Sequence, residues 1–77
     1  MPGLSCSCGH RISYGEIPCK DEWLIISDVV FDAFTRAVDA EELYRAMRSI
    51  LKCPICGHLW VFWDGYQEAA QEFVPRP

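Results

Sequence analysis

The chain has 77 residues, an apolar content of 51% and a formal net charge of −4, a composition that describes a small globular protein and not an intrinsically disordered chain. Its seven Lys and Arg are scattered, which argues against a protein that holds a phosphate backbone, and no apolar run is long enough to span a bilayer. The start lacks the charged-then-apolar pattern of an export signal, so the expected compartment is the reducing cytoplasm, where grouped cysteines hold metal or do redox chemistry. One domain over residues 1–77 is expected, and a domain of this size usually needs a staple.

In chain order, the first informative phrase is Cys6-Ser7-Cys8-Gly9-His10. "HRISY" then alternates as a short strand, and "GEIPCKDE" reads as a loop broken by Gly15 and Pro18. "WLIIS", residues 23–27, has the content of a second strand that pairs with the first as a hairpin. Ser27 or Asp28 is a candidate N-cap for a helix over 28–38, with Val30, Phe31, Phe34 and Val38 on its core face. Asp39 with Glu42 forms a candidate capping box for a second helix over 40–50, striped by Leu43, Met47 and Ile50. Glu41 and Glu42 interrupt the stripe, so a break near Asp39 is favoured over a single bent helix. "SILKC" leads extended into Cys53-Pro54-Ile55-Cys56-Gly57-His58. "HLWVFW" leaves as a strand apolar on both faces, Asp64-Gly65 marks a turn, and "QEFVP" returns as a last strand.

The two cysteine phrases carry the chemistry. Two intervening residues between Cys53 and Cys56 let one tight turn aim two sulfurs at a tetrahedral ion. Pro54 sets φ early in that turn, and Gly57 supplies the positive φ that turns backbone N–H groups toward the thiolates. Cys6 and Cys8 have one residue between them, with Gly9 in the place of Gly57. Two such knuckles, each giving two sulfurs, close one four-thiolate site of Cys6, Cys8, Cys53 and Cys56. Cys19 is the odd cysteine, a free thiol or a substitute ligand for Cys6 or Cys8. His10 and His58 are placed to hydrogen-bond a sulfur or simply to begin outgoing strands.

The pair of knuckles resembles the zinc-ribbon group of folds, in which each knuckle sits at a hairpin tip and four cysteines hold one zinc. "CPICG" is also similar to the knuckle of rubredoxin, which holds one iron. "CSCG" is one residue shorter than either pattern, and the apparent helical stretch between the knuckles departs from rubredoxin and favours zinc. In layout the chain is similar to small bacterial zinc-ribbon proteins with a Cys-x-Cys-Gly start. The expected fold is therefore α+β: a small zinc-ribbon-like sheet on two knuckles, with one or two helices inserted between them. The expected cofactor is one structural Zn2+.

The expected function is a non-catalytic, zinc-stabilised protein-binding module, an adaptor or an inhibitor of immunity type, whose acidic surface suits a basic partner. The alternatives are a nucleic-acid-binding zinc ribbon and a rubredoxin-like iron redox protein. Four thiolates leave no open coordination position, and no nucleophile–base–acid set stands out, so no enzyme activity is expected. Trp60 and Phe62, on one face of a two-faced apolar strand, are either core or part of a docking surface or homodimer seam.

Overall fold

The computed structural model describes residues 3–76. Among these it contains six strands and two short helices: β1 (Gly3–Ser5), β2 (Arg11–Ser13), β3 (Glu22–Ile25), α1 (Asp28–Asp32), α2 (Ala40–Arg45), β4 (Arg48–Lys52), β5 (Leu59–Phe62) and β6 (Gln71–Phe73). β1 and β2 form an antiparallel hairpin, and the remaining strands form a second sheet in the order β3-β4-β5-β6, antiparallel throughout.

The α+β expectation is overturned by this arrangement. The fold is sheet-dominated, and neither helix buries a residue. The segments expected as helices over 28–38 and 40–50 shrink to Asp28–Asp32 and Ala40–Arg45. Ser27 and Asp39 occupy the N-cap positions, but neither side chain makes a capping hydrogen bond, so the expected capping box does not form. The break near Asp39 is present, and it separates two helices of about a turn and a half each.

The stripe residue Ile50 belongs to β4. There Ile50 and Leu51 point to opposite faces, where a helix would have kept both near one side. Pairing explains the outcome: Ile50 is opposite Trp23 and Val61, and Leu51 is opposite Glu22 and Trp60. β4 is thus hydrogen-bonded along both edges and supplies the backbone partners of β3 and β5, which a helix over these residues would have left unpaired. The expected hairpin of "HRISY" with "WLIIS" is also not made. β2 pairs with β1, which periodicity had not marked, and β3 pairs with β4.

Cross-strand partners share a face. One face of the larger sheet carries Leu24, Ser49, Leu51, Trp60 and Phe62, with Glu22 and Glu72 at its edges. The β1–β2 hairpin lies over this face. Ile12 and Leu51 are fully buried, Phe62 is 4% exposed, and Leu4, Tyr14, Trp60 and Ala70 pack around them. Tyr14, Phe62 and Tyr66 add a three-ring cluster, with Tyr14 stacked on Tyr66 at 4.6 Å. Phe62 is therefore core and Trp60 lines it, which removes this pair as an exposed homodimer seam. The other face of the sheet has no layer above it from the β1–β2 hairpin.

Candidate metal centre

Cys6 ends the β1 side of the first hairpin and Cys53 ends the β4 side of the second, so each knuckle is the tip of an antiparallel pair. The two tips close with the same backbone bonds. Cys6 N–H donates to His10 C=O at 2.8 Å, and Cys53 N–H donates to His58 C=O at 2.9 Å. Gly9 N–H donates to Cys6 C=O at 2.9 Å, and Gly57 N–H donates to Cys53 C=O at 3.0 Å. Gly9 and Gly57 have φ of 97° and 78°, the left-handed conformation expected for the knuckle glycines. The first knuckle therefore reaches the same closure with one residue fewer.

The tips meet. The Sγ atoms of Cys6, Cys8, Cys53 and Cys56 all lie within 4.8 Å of one another. Cys6 and Cys56 are 3.5 Å apart, and Cys8 and Cys53 are 3.6 Å apart. Those separations are too long for a disulfide, whose sulfurs sit about 2.05 Å apart. They fit a tetrahedron: ligands about 2.3 Å from a central zinc stand about 3.8 Å from each other. All four sequence-predicted ligands are thus brought together, and they can hold one metal ion. Cys19 is not among them; its thiol donates to Ser13 C=O at 3.6 Å.

Electrostatics divide the four thiols in the same way in both knuckles. Burial would push the Cys6 thiol up, but the Cys8 backbone N–H, the Trp60 indole N–H and the Cys56 thiol outweigh it and bring it down to about 6. Burial likewise opposes ionisation of Cys53, and the backbone N–H groups of Cys56 and Ile55 overcome it and lower its pKa. The second thiols go the other way. Burial, with the neighbouring Cys6, Cys8 and Cys53 sulfurs, pushes Cys56 up to about 12 against the pull of the His58 N–H. At Cys8 the His10 N–H lowers the pKa, but burial and the Cys53 and Cys6 sulfurs prevail and raise it. Four thiolates sharing this volume would repel one another, and a divalent ion would supply the missing positive charge. The donor set therefore fits a thiophilic metal.

Around the sulfurs lies a polar clasp that sequence patterns had not shown. Ser7 Oγ donates to Glu72 Oε2 at 2.5 Å, His58 Nδ1 lies 2.8 Å from the same oxygen, and Ser7 Oγ lies 3.2 Å from His58 Nδ1. The clasp ties the first knuckle to the second and to β6. The Ser7 hydroxyl, then His58, hold the Glu72 carboxyl below its usual pKa, against a smaller opposing effect of burial. Ser7 and Glu72 both meet Nδ1, so they do not form a relay in which a serine hydroxyl and a carboxylate sit on opposite ring nitrogens. Neither His10 nor His58 donates to a sulfur through its ring. That role falls to Trp60, whose Nε1–H reaches Cys6 Sγ at 3.4 Å. Ser7 sits unmarked between two cysteines, and Glu72 is 65 residues away, so only the register of β5 with β6 brings them together.

The fold and this centre define a small β protein with four cysteines clustered within metal-binding distance between two knuckles. A family model described as a domain of unknown function, DUF8617, matches residues 2–76, and the chain belongs to that family. No curated protein and no solved structure matches it. Among the described residues no helix is long and apolar enough to cross a membrane.

Proposed function

We propose that this protein is a non-catalytic binding module whose fold is closed by one structural zinc on Cys6, Cys8, Cys53 and Cys56, and whose acidic surface meets a basic protein partner. The observation that carries the metal half is the convergence of four sulfurs from knuckles 45–50 residues apart. Closing so long a loop costs conformational entropy, and metal–sulfur bonds offset it. A shell filled by four protein ligands is the signature of a structural ion, since a catalytic zinc keeps a position for water or substrate. The partner half rests on net charge: −4 for the apo chain becomes roughly −6 once four thiolates hold a divalent ion. An adaptor or an inhibitor of a basic protein fits that balance, in a reducing compartment that keeps the thiols free.

Metal analysis of native protein tests the first half, with one zinc per chain and no visible absorption expected. A ferric four-thiolate centre would be coloured, and that result would replace the zinc reading with an electron-transfer one. Capture of partners at low salt tests the second half. A basic protein eluting as salt rises is expected; recovery of nucleic acid in its place would overturn it.

A further inference from the structure

The segment between β3 and β4, residues 26–47, is an arm with no buried residue. It contains α1 and α2, five and six residues long, far below the roughly 12–15 residues at which an isolated helix begins to persist in water. Yet its side chains are those of a packed element: Val29 is 80% exposed, Val30 42%, Phe31 51% and Tyr44 53%. It is also the acidic part of the chain, with five carboxylates (Asp28, Asp32, Asp39, Glu41, Glu42) against Arg36 and Arg45.

The open face of the four-stranded sheet is its complement. Trp23, Ile50, Val61 and Gln71 form one row across all four strands, and Lys52, Leu59 and Phe73 form the next; Val61 at the centre is itself only 4% exposed, so what the face offers is the rim of larger side chains around it. Trp63 continues this face beyond β5, with its indole N–H on Gln71 Oε1 at 2.9 Å. Trp23 is 60% exposed, Trp63 50% and Phe73 41%. The strand residues of this face include Arg48 and Lys52 and no carboxylate; both strand carboxylates, Glu22 and Glu72, belong to the opposite face. Asp21 and Asp64 stand at its margins.

The arm does not cover this face in its own chain. α2 leans toward the other side, where Tyr44 and Met47 share a hollow with Leu24 and Phe62. We propose that a second copy of this chain covers it: the arm of each copy lies on the open sheet face of the other, about a two-fold axis. Each chain carries both halves of the contact, apolar in each and opposite in charge, as an isologous interface requires. Leaving out Tyr44, which leans to the other side, the six remaining exposed side chains named above (four aromatics and two valines) present roughly 600 Å² per copy, at the lower edge of the 600–1,000 Å² or so per partner of a standard interface. This goes beyond the metal centre and the basic-partner reading and rests on neither.

The test is the mass of the full-length, metal-loaded chain in solution, by sedimentation or light scattering over a dilution series. A dimer is expected, weakened by salt. The arm variant Phe31→Ser and the face variant Trp63→Ser should each weaken it about tenfold or more. In an equimolar mixture of the two variants the mixed dimer should exceed its statistical share, because it keeps one contact intact and gathers both substitutions in the other. Unchanged metal content in both variants shows that the fold is retained. A wild-type chain that stays monomeric at the highest concentration, with its metal bound, overturns the proposal and leaves the face to a different partner. A dimer that neither variant weakens, or a mixture in which the mixed dimer does not exceed its statistical share, overturns the reciprocal arm-on-sheet arrangement.

Discussion

The two knuckles do the same job with different lengths of chain. The first closes from Cys6 to Gly9, the second from Cys53 to Gly57, and both finish with the same pair of backbone bonds and a glycine at positive φ. In each, the leading cysteine is buried in the core with its pKa lowered, while the trailing one is less buried and has its pKa raised. Spacing between the cysteines is therefore the adjustable quantity. What is kept is a leading sulfur that belongs to the core and a trailing sulfur at the tip.

The largest expected effect breaks both knuckles at once. Chelation of the metal should remove about 10 kcal/mol or more of apparent stabilisation and unfold the chain, read as loss of a cooperative melt. Cys6→Ser and Cys53→Ser should do nearly the same, because they also damage the core around Ile12 and Leu51. Cys8→Ser should retain metal at weakened affinity, since solvent reaches that corner. Equal loss from leading and trailing cysteines would erase the distinction between them.

Acidification is the next perturbation. The metal-bound centre needs thiolates, so every thiol still protonated in the apo chain must release its proton on binding. With Cys6 brought down to about 6 and Cys56 pushed up to about 12, affinity should climb with pH throughout this range and fall still more steeply below about 6, where Cys6 must also lose a proton on binding. A competition titration against a chromophoric chelator measures the slope; affinity flat with pH would contradict the picture.

Smaller effects sharpen the comparison. An added Cβ meets nothing within 4 Å at Gly9 and only Pro75 Cγ at 3.9 Å at Gly57, so alanine at either costs backbone strain alone. About 1–2 kcal/mol of destabilisation, similar at both sites, is expected in denaturant titration. A marked difference would mean that the shorter knuckle is held by something other than its turn. Trp60→Phe removes the indole donor to Cys6 and has no counterpart in the second knuckle. It should cost about 1 kcal/mol and shift the thiolate-to-metal absorption of a cobalt-substituted protein.

Least in size is the ionisation of Tyr66, pushed up to about 12 by burial first and by the Glu22 carboxylate, against the Ser49 hydroxyl. Its neutral form is favoured in the fold, so this contribution is intact below the ordinary tyrosine value of 10 and is lost as pH rises toward 12. An absorbance titration should show one of the three tyrosines ionising last.

The knuckles were legible because their signal is local: cysteine spacing, a proline and a glycine needing positive φ all fall within five or six residues. β2, β3, β5 and β6 were legible for a similar reason, as short β-branched or aromatic runs between breakers. The helical stretch was misread because its periodicity is real but too little of its own chain lies against it to bury any residue of either helix. Val30 and Phe31 lie on a helical face and are still 42% and 51% exposed. The clasp of Ser7, His58 and Glu72 was invisible for the opposite reason, being made wholly of long-range proximity.

What the sequence by itself determined is a chain with two metal-competent turns, a set of apolar strands and an acidic stretch between them. Turn geometry and ligand chemistry depend on neighbours along the backbone, so they can be read in order. The sequence marked "SILKC" as an extended lead-in to the second knuckle; tertiary structure alone decided that this stretch, as β4, is hydrogen-bonded on both edges, that Trp60 and Phe62 face inward and that Trp23, Trp63 and Phe73 face outward. Those choices depend on which strand lies beside which, and one residue of register exchanges the two faces of a sheet.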